Sequence, residues 1–158
     1  MMVLDDIPPT EPWGLKLYRA ASGAGGPFAR ALLKRRLAEG KEDASRLGER
    51  SGETARPRPE GRLCWIHGAS VGESLSVVPL VERLTAREPG LSALVTTGTV
   101  TSARLMAERL PPRALHQFAP LDHPAFVGRF LDHWRPDMAL FVESEFWPNL
   151  ILKARTAA

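Results

Sequence analysis

Short apolar runs alternate along this chain with stretches whose apolar positions recur at helical spacing. Residues 63–66 are apolar throughout and end in β-branched Ile66, the composition of a strand covered on both faces. From Ser74 onward Leu75, Val78, Val81 and Leu84 recur at helical spacing, which predicts an amphipathic helix to about residue 87 with a possible bend at Pro79. The alternation then repeats. Residues 91–97 form a second strand and 101–110 a second helix, which Pro111 and Pro112 end. Residues 115–118 form a short third strand, and 124–133 a third helix with Pro124 at its first position. Residues 138–142 form a fourth strand, and Trp147, Pro148 and Asn149 open another helix. Strand and helix in alternation imply a Rossmann-like α/β fold, a doubly wound parallel sheet with right-handed crossovers.

The chain before the first strand reads differently. Residues 1–12 show no periodicity, and Pro8, Pro9 and Pro12 exclude a continuous helix, so a loosely attached leader without a signal-peptide pattern is expected there. Residues 13–60 divide into a basic amphipathic segment and a connector. Over 13–37, Trp13, Leu17, Tyr18, Phe28 and Leu32 are mixed with Lys16, Arg19, Arg30, Lys34, Arg35 and Arg36, which predicts two short helices around a break at Gly23, Gly25, Gly26 and Pro27. The uncharged run 20–29 is far shorter than the roughly 20 apolar residues of a membrane span. Such a face either lies in the headgroup region of an anionic leaflet or packs on the domain as a solvated basic helix. Residues 41–60, charged and containing Gly48, Gly52 and RPRPEG, read as a surface connector. Residues 61–158 hold the α/β domain.

Composition narrows the class. At 158 residues and 44% hydrophobic content the chain suits one packed domain. With 21 basic against 18 acidic residues, it lacks the excess that nucleic-acid binding calls for. Cys64 is the one cysteine, placed inside the first strand as a buried hydrophobe, so no disulfide forms within the chain, as in a reducing cytoplasm. His67, His116, His123 and His133 show no zinc-binding spacing, so no metal is expected. His67, at the end of the first strand, suits a backbone-bonded residue better than a catalytic one. Neither GxGxxG nor a Walker loop is present.

Three turns carry candidate chemistry. In HGASVGE, residues 67–73, Gly68 and Gly72 let the chain turn from strand to helix and set Glu73 in the first helical turn, at a strand's carboxyl mouth where open α/β sheets bind ligands. A first-turn carboxylate also serves simply to complement the helix dipole. In 96–102, Thr96, Thr97, Thr99, Thr101 and Ser102 surround Gly98, and a helix N-terminus there offers N–H groups to a phosphate, although Thr101 or Ser102 also suits an N-cap. The fourth strand delivers Glu143 and Glu145. Two residues apart in extended chain they share one side, where two carboxylates repel; if the chain turns after Val142 they are merely solvated.

HGASVGE, LVTTGTVTSARL at 94–105, ESEFWPN at 143–149, RLGERSG at 46–52 and FAPLDHPAFVGRFLDHWRPD at 118–137 occur in an order that resembles the N-terminal half of the 3-deoxy-D-manno-octulosonic acid (Kdo) transferase family. The resemblance covers residues 18–158. It implies the acceptor domain of a GT-B glycosyltransferase that moves Kdo from CMP-Kdo to lipid A at the cytoplasmic face of the bacterial inner membrane. By that resemblance Glu73 is the general base and Glu143 stabilises the transition state. Ser70, Gly72, Thr97, Thr99, Thr101, Ser102 and Glu145 are candidates for holding the acceptor. The family's hydrophobic N-terminal anchor is weaker here. No cofactor is expected. CMP-Kdo is bound mainly by a second domain that this sequence lacks, so the chain reads as a truncated domain, inactive alone. The alternatives are the N-terminal half of another GT-B nucleotide-sugar transferase or epimerase, and a noncatalytic lipid- or protein-binding module.

Overall fold

The computed structural model describes residues 12–142 and 147–157. Helices α1 (Trp13–Ala24) and α2 (Gly26–Ala38) meet at Gly25, the break that the glycines predict. A 3-10 helix, Ala44–Ser51, follows. The chain then alternates through β1 (Arg62–His67), α3 (Val71–Arg87), β2 (Leu91–Thr97), α4 (Val100–Arg109), β3 (Ala114–Phe118), α5 (Pro124–Trp134), β4 (Met138–Phe141) and α6 (Pro148–Ala157). The four strands are parallel in the order β3-β2-β1-β4, with Trp65 beside Leu94 and Ala139. This is the α/β parallel sheet that the alternation implies.

Strand β1 is apolar without alternation because both of its faces are covered. Leu63 and Trp65 point to Phe130, Trp134 and Leu150 of α5 and α6. Cys64 and Ile66 point to Val77 and Val81 of α3 and Met106 of α4. Helices thus flank the sheet on each side. Burial pushes the Cys64 thiol up to about 11, which keeps it protonated and inert.

The stretch 41–60 is a surface connector only from about residue 53; the part before it packs into the domain. Glu42, Glu49 and Arg50 are all buried, and their partners explain how. Arg46 pairs with both Glu49 oxygens at 2.8 Å, Glu49 Oε2 accepts the Phe118 N–H at 2.7 Å, and Arg46 Nη2 donates to His116 O at 3.1 Å. Side chains of the 3-10 helix therefore satisfy backbone groups along the outer edge of β3, where another chain would otherwise pair. Arg46 and Arg50 also stand 4.7 Å from the Phe118 ring centre.

Candidate functional site

The turn after β1 is fixed by reciprocal capping. Ser70 is the N-cap of α3: its Oγ accepts the Glu73 N–H at 3.2 Å, while Glu73 Oε2 accepts the Ser70 N–H at 3.0 Å. This capping box satisfies two N–H groups that a helix start leaves without intrahelical partners. Helix α3 begins at Val71, three residues before the apolar period starts, because the cap rather than the apolar face sets its origin.

The turn after β2 is capped by Thr99, not by Thr101 or Ser102. Its Oγ1 accepts the Ser102 N–H at 3.1 Å and lies 2.7 Å from Ser102 Oγ. Ser102 is fully buried beneath the cap. Thr97 is buried too, 2.9 Å from His116 Nε2, so in this structure neither hydroxyl is open to a ligand. Thr99, Thr101, Ser70 and Gly72 are exposed at the starts of α3 and α4. Glu143 and Glu145 lie outside the described residues.

Two buried histidines stiffen the mouth of the sheet. Arg46 Nη2 approaches His116 Nδ1 at 3.0 Å. A guanidinium only donates, so Nδ1 accepts and Nε2 carries the proton, which it gives to Thr97 Oγ1. Burial, followed by the charges of Arg46, Arg56 and Arg50, pushes His116 down to about 3. His67 Nδ1 lies 2.8 Å from Thr96 Oγ1, which also accepts the Trp65 Nε1–H at 2.8 Å. The expected backbone partner of His67 is thus joined or replaced by a side-chain hydroxyl from the neighbouring strand.

A cleft of about 440 Å³ opens across the carboxyl ends of β1, β2 and β3. Ser70, Thr99 and His67 at the strand ends line it, together with Leu32 and Arg36 of α2 and Trp147 before α6. Two helix N-termini reach it, a setting that favours an anionic group. Sequence reasoning missed Asp122 of the loop before α5. Its carboxylate accepts the Asn149 and Leu150 N–H groups at 3.1 and 2.9 Å, capping α6 from outside, and the Tyr18 hydroxyl at 2.8 Å. Aspartate in a Pro-flanked loop was a visible signal for a cap, but its target lay 27 residues away. Among the described residues no group of three or more His, Cys, Asp or Glu is placed to hold a metal ion.

A parallel α/β sheet with capped helix starts around a cleft at its strand ends is a Rossmann-like domain, the class that binds ligands at that end of the sheet. The family model described as 3-Deoxy-D-manno-octulosonic-acid transferase (kdotransferase) matches residues 45–158, and the chain belongs to that family. A probable mitochondrial 3-deoxy-D-manno-octulosonic acid transferase of Arabidopsis thaliana is 39% identical over 139 residues, 88% of this chain and 31% of that protein. The 3-deoxy-D-manno-octulosonic acid transferase of Rickettsia bellii is 38% identical, covering 89% of this chain and 34% of its own length. That of Haemophilus influenzae is 38% identical over 67% of this chain and 25% of its own. The chain therefore spans about a third or less of the curated relatives it matches.

Proposed function

We propose that this chain is the acceptor half of an enzyme that transfers Kdo from CMP-Kdo to a hydroxyl of a lipid A precursor, with inversion at the anomeric carbon. The observation that carries this reading is the Ser70–Glu73 capping box, whose Ser70 lines the strand-end cleft, in a chain of the Kdo transferase family. Glu73 takes the proton from the attacking acceptor hydroxyl as its oxygen bonds to the anomeric carbon and CMP leaves. The Ser70 N–H orients the carboxylate. Glu143 favours the positive charge that develops on the sugar, and Glu145 helps to hold the acceptor. Exposed Ser70, Gly72, Thr99 and Thr101 at the starts of α3 and α4 receive acceptor phosphate. The donor is held mainly by a second domain, whose closure brings the reactants together.

The same reading places the protein peripherally on an anionic membrane, at the cytoplasmic face of the inner membrane. Helices α1 and α2 expose Trp13 at 79% and Phe28 at 74%, beside exposed Lys16, Arg30, Lys34 and Arg35. Among the described residues no helix is long and apolar enough to cross a membrane, so attachment through these helices would be interfacial. The direct test is to give the full-length protein CMP-Kdo and a lipid A precursor and follow the product by mass spectrometry. Kdo addition is expected; transfer of a different sugar, or none, would sink the assignment.

A further inference from the structure

Arg50 is 5% exposed, yet its guanidinium joins three separate parts of the chain. Nε and Nη2 hold Glu42 at 2.8 and 3.3 Å, Nη1 donates to Ala119 O at 3.1 Å, and Nη2 donates to Gly98 O at 2.5 Å. Ala119 follows β3 directly and Gly98 follows β2, so both carbonyls stand at the mouth of the cleft. Only a planar fork of several N–H donors reaches both while keeping its counter-ion; a lysine ammonium offers one nitrogen.

Gly98 passes this constraint to the next turn. Its N–H donates to Ala69 O at 3.2 Å, and a Cβ on Gly98 would stand 3.1 Å from that same oxygen. Ala69 immediately precedes Ser70, the partner of Glu73 in the capping box. The path from Arg50 to Glu73 thus consists of the Gly98 peptide, the Ala69 carbonyl and the box itself.

We propose that Arg50 is a positioning residue for Glu73, holding the base in place through the Gly98–Ala69 contact; this rests on the reading of Glu73 as the base. Glu42 fixes the plane of the guanidinium and neutralises its buried charge, so its loss weakens the fold more than the geometry of the turn. A role in stability alone would loosen the whole sheet together. A positioning role loosens the two turns selectively.

The test uses the full-length protein with Arg50→Lys, Glu42→Gln and Gly98→Ala, measuring amide hydrogen exchange residue by residue alongside transfer kinetics. Arg50→Lys should speed exchange at Gly98 and Glu73 by about tenfold or more while the Trp65 and Val95 amides change by less than about twofold. It should also lower kcat by about tenfold with the KM for CMP-Kdo within about twofold, since misplacing a reacting group costs rate rather than donor affinity. Glu42→Gln, which loosens the guanidinium plane, should lower the melting temperature and give the same local loosening and kcat loss in smaller measure. If Arg50→Lys does not fold, Gly98→Ala presses on the same contact from the other side and should give the same local loosening and kcat loss. Uniform acceleration of exchange over the sheet, or unchanged kcat in a variant with loosened turns, would overturn the proposal. If the parent protein transfers no Kdo, the functional reading fails by itself, while the exchange pattern still decides whether Arg50 holds Glu73.

Discussion

Ser70 and Glu73 each hold the other's backbone N–H, at 3.2 and 3.0 Å, so the residue assigned as base is also part of a helix cap. The two roles separate by substitution. Glu73→Gln keeps a side-chain oxygen for the Ser70 N–H and should change stability by less than about 0.5 kcal/mol, whereas Glu73→Ala removes the reciprocal bond and should cost about 1 kcal/mol. Both should cut transfer by about 100-fold or more, because neither accepts a proton. Thermal melts beside a transfer assay on the full-length protein check this. Near-normal transfer by Glu73→Gln would remove Glu73 from the mechanism.

Gly52 closes the 3-10 helix with φ of +79°, and a Cβ there would stand 2.1 Å from the Phe126 carbonyl oxygen. Backbone strain and a collision with main chain act together, so Gly52→Ala should cost about 2–4 kcal/mol. Urea unfolding measures it. A loss below about 0.5 kcal/mol would mean that α5 shifts freely away from the 3-10 helix, contrary to their tight packing.

The strands were legible because burial on both faces leaves continuous apolar runs, as at 63–66, and turn residues bound each run. The 3-10 helix was not. Glu49 and Arg50 look like solvated charges until their partners appear, and those partners, Phe118 and Ala119, are 69 residues away in sequence. In the second turn the sequence offered several hydroxyls in a row. Which one caps depends on where β2 stops, and it stops at Thr97, which leaves Thr99 at the cap. Glu73 was legible as a first-turn carboxylate and a candidate base, and the structure adds its part in a capping box with Ser70. Its catalytic role is a matter for the transfer assay.

Tyr18 is the one tyrosine of the sequence, which makes its titration visible without interference. Burial and the Asp122 carboxylate beside it raise its pKa from 10.0 to about 12. The folded form therefore keeps its phenolic proton longer than the unfolded chain does. Its contribution to stability is fully present below about pH 10 and is lost as pH rises towards 12. Ultraviolet titration of the 158-residue chain should give a midpoint near 12, and Asp122→Asn should bring it down towards 10. An unchanged midpoint would show that Asp122 does not hold Tyr18 in solution.

His116 behaves in the opposite sense. Its folded pKa near 3 lies below the ordinary 6.5, so the unfolded chain takes up the proton first. Its contribution is present above pH 6.5 and is lost as pH falls towards 3. Nitrogen NMR at about pH 5 should still show a neutral ring protonated at Nε2, since the Arg46 charge and burial oppose a second proton. A protonated imidazolium at that pH, with the sheet intact, would contradict the buried Arg46–His116–Thr97 arrangement.

Trp13 and Phe28 stand on α1 and α2 with most of their surface exposed, while Asp122 ties α1 to the domain through Tyr18. An apolar face with Lys16, Arg30, Lys34 and Arg35 near it gains from two sources at a charged bilayer. The rings enter the headgroup boundary, and each cation near the surface contributes about 1 kcal/mol. Salt weakens the second source and leaves the first. Sedimentation with vesicles containing anionic lipid should therefore show binding that falls as salt rises, with much weaker binding to neutral vesicles. Trp13→Ser combined with Phe28→Ser should reduce binding at low salt without lowering the melting temperature, because neither ring is part of the core. Equal binding to neutral and anionic vesicles, or full binding by the double variant, would mean that α1 and α2 are a solvated basic layer on the domain and that the membrane is reached by other means.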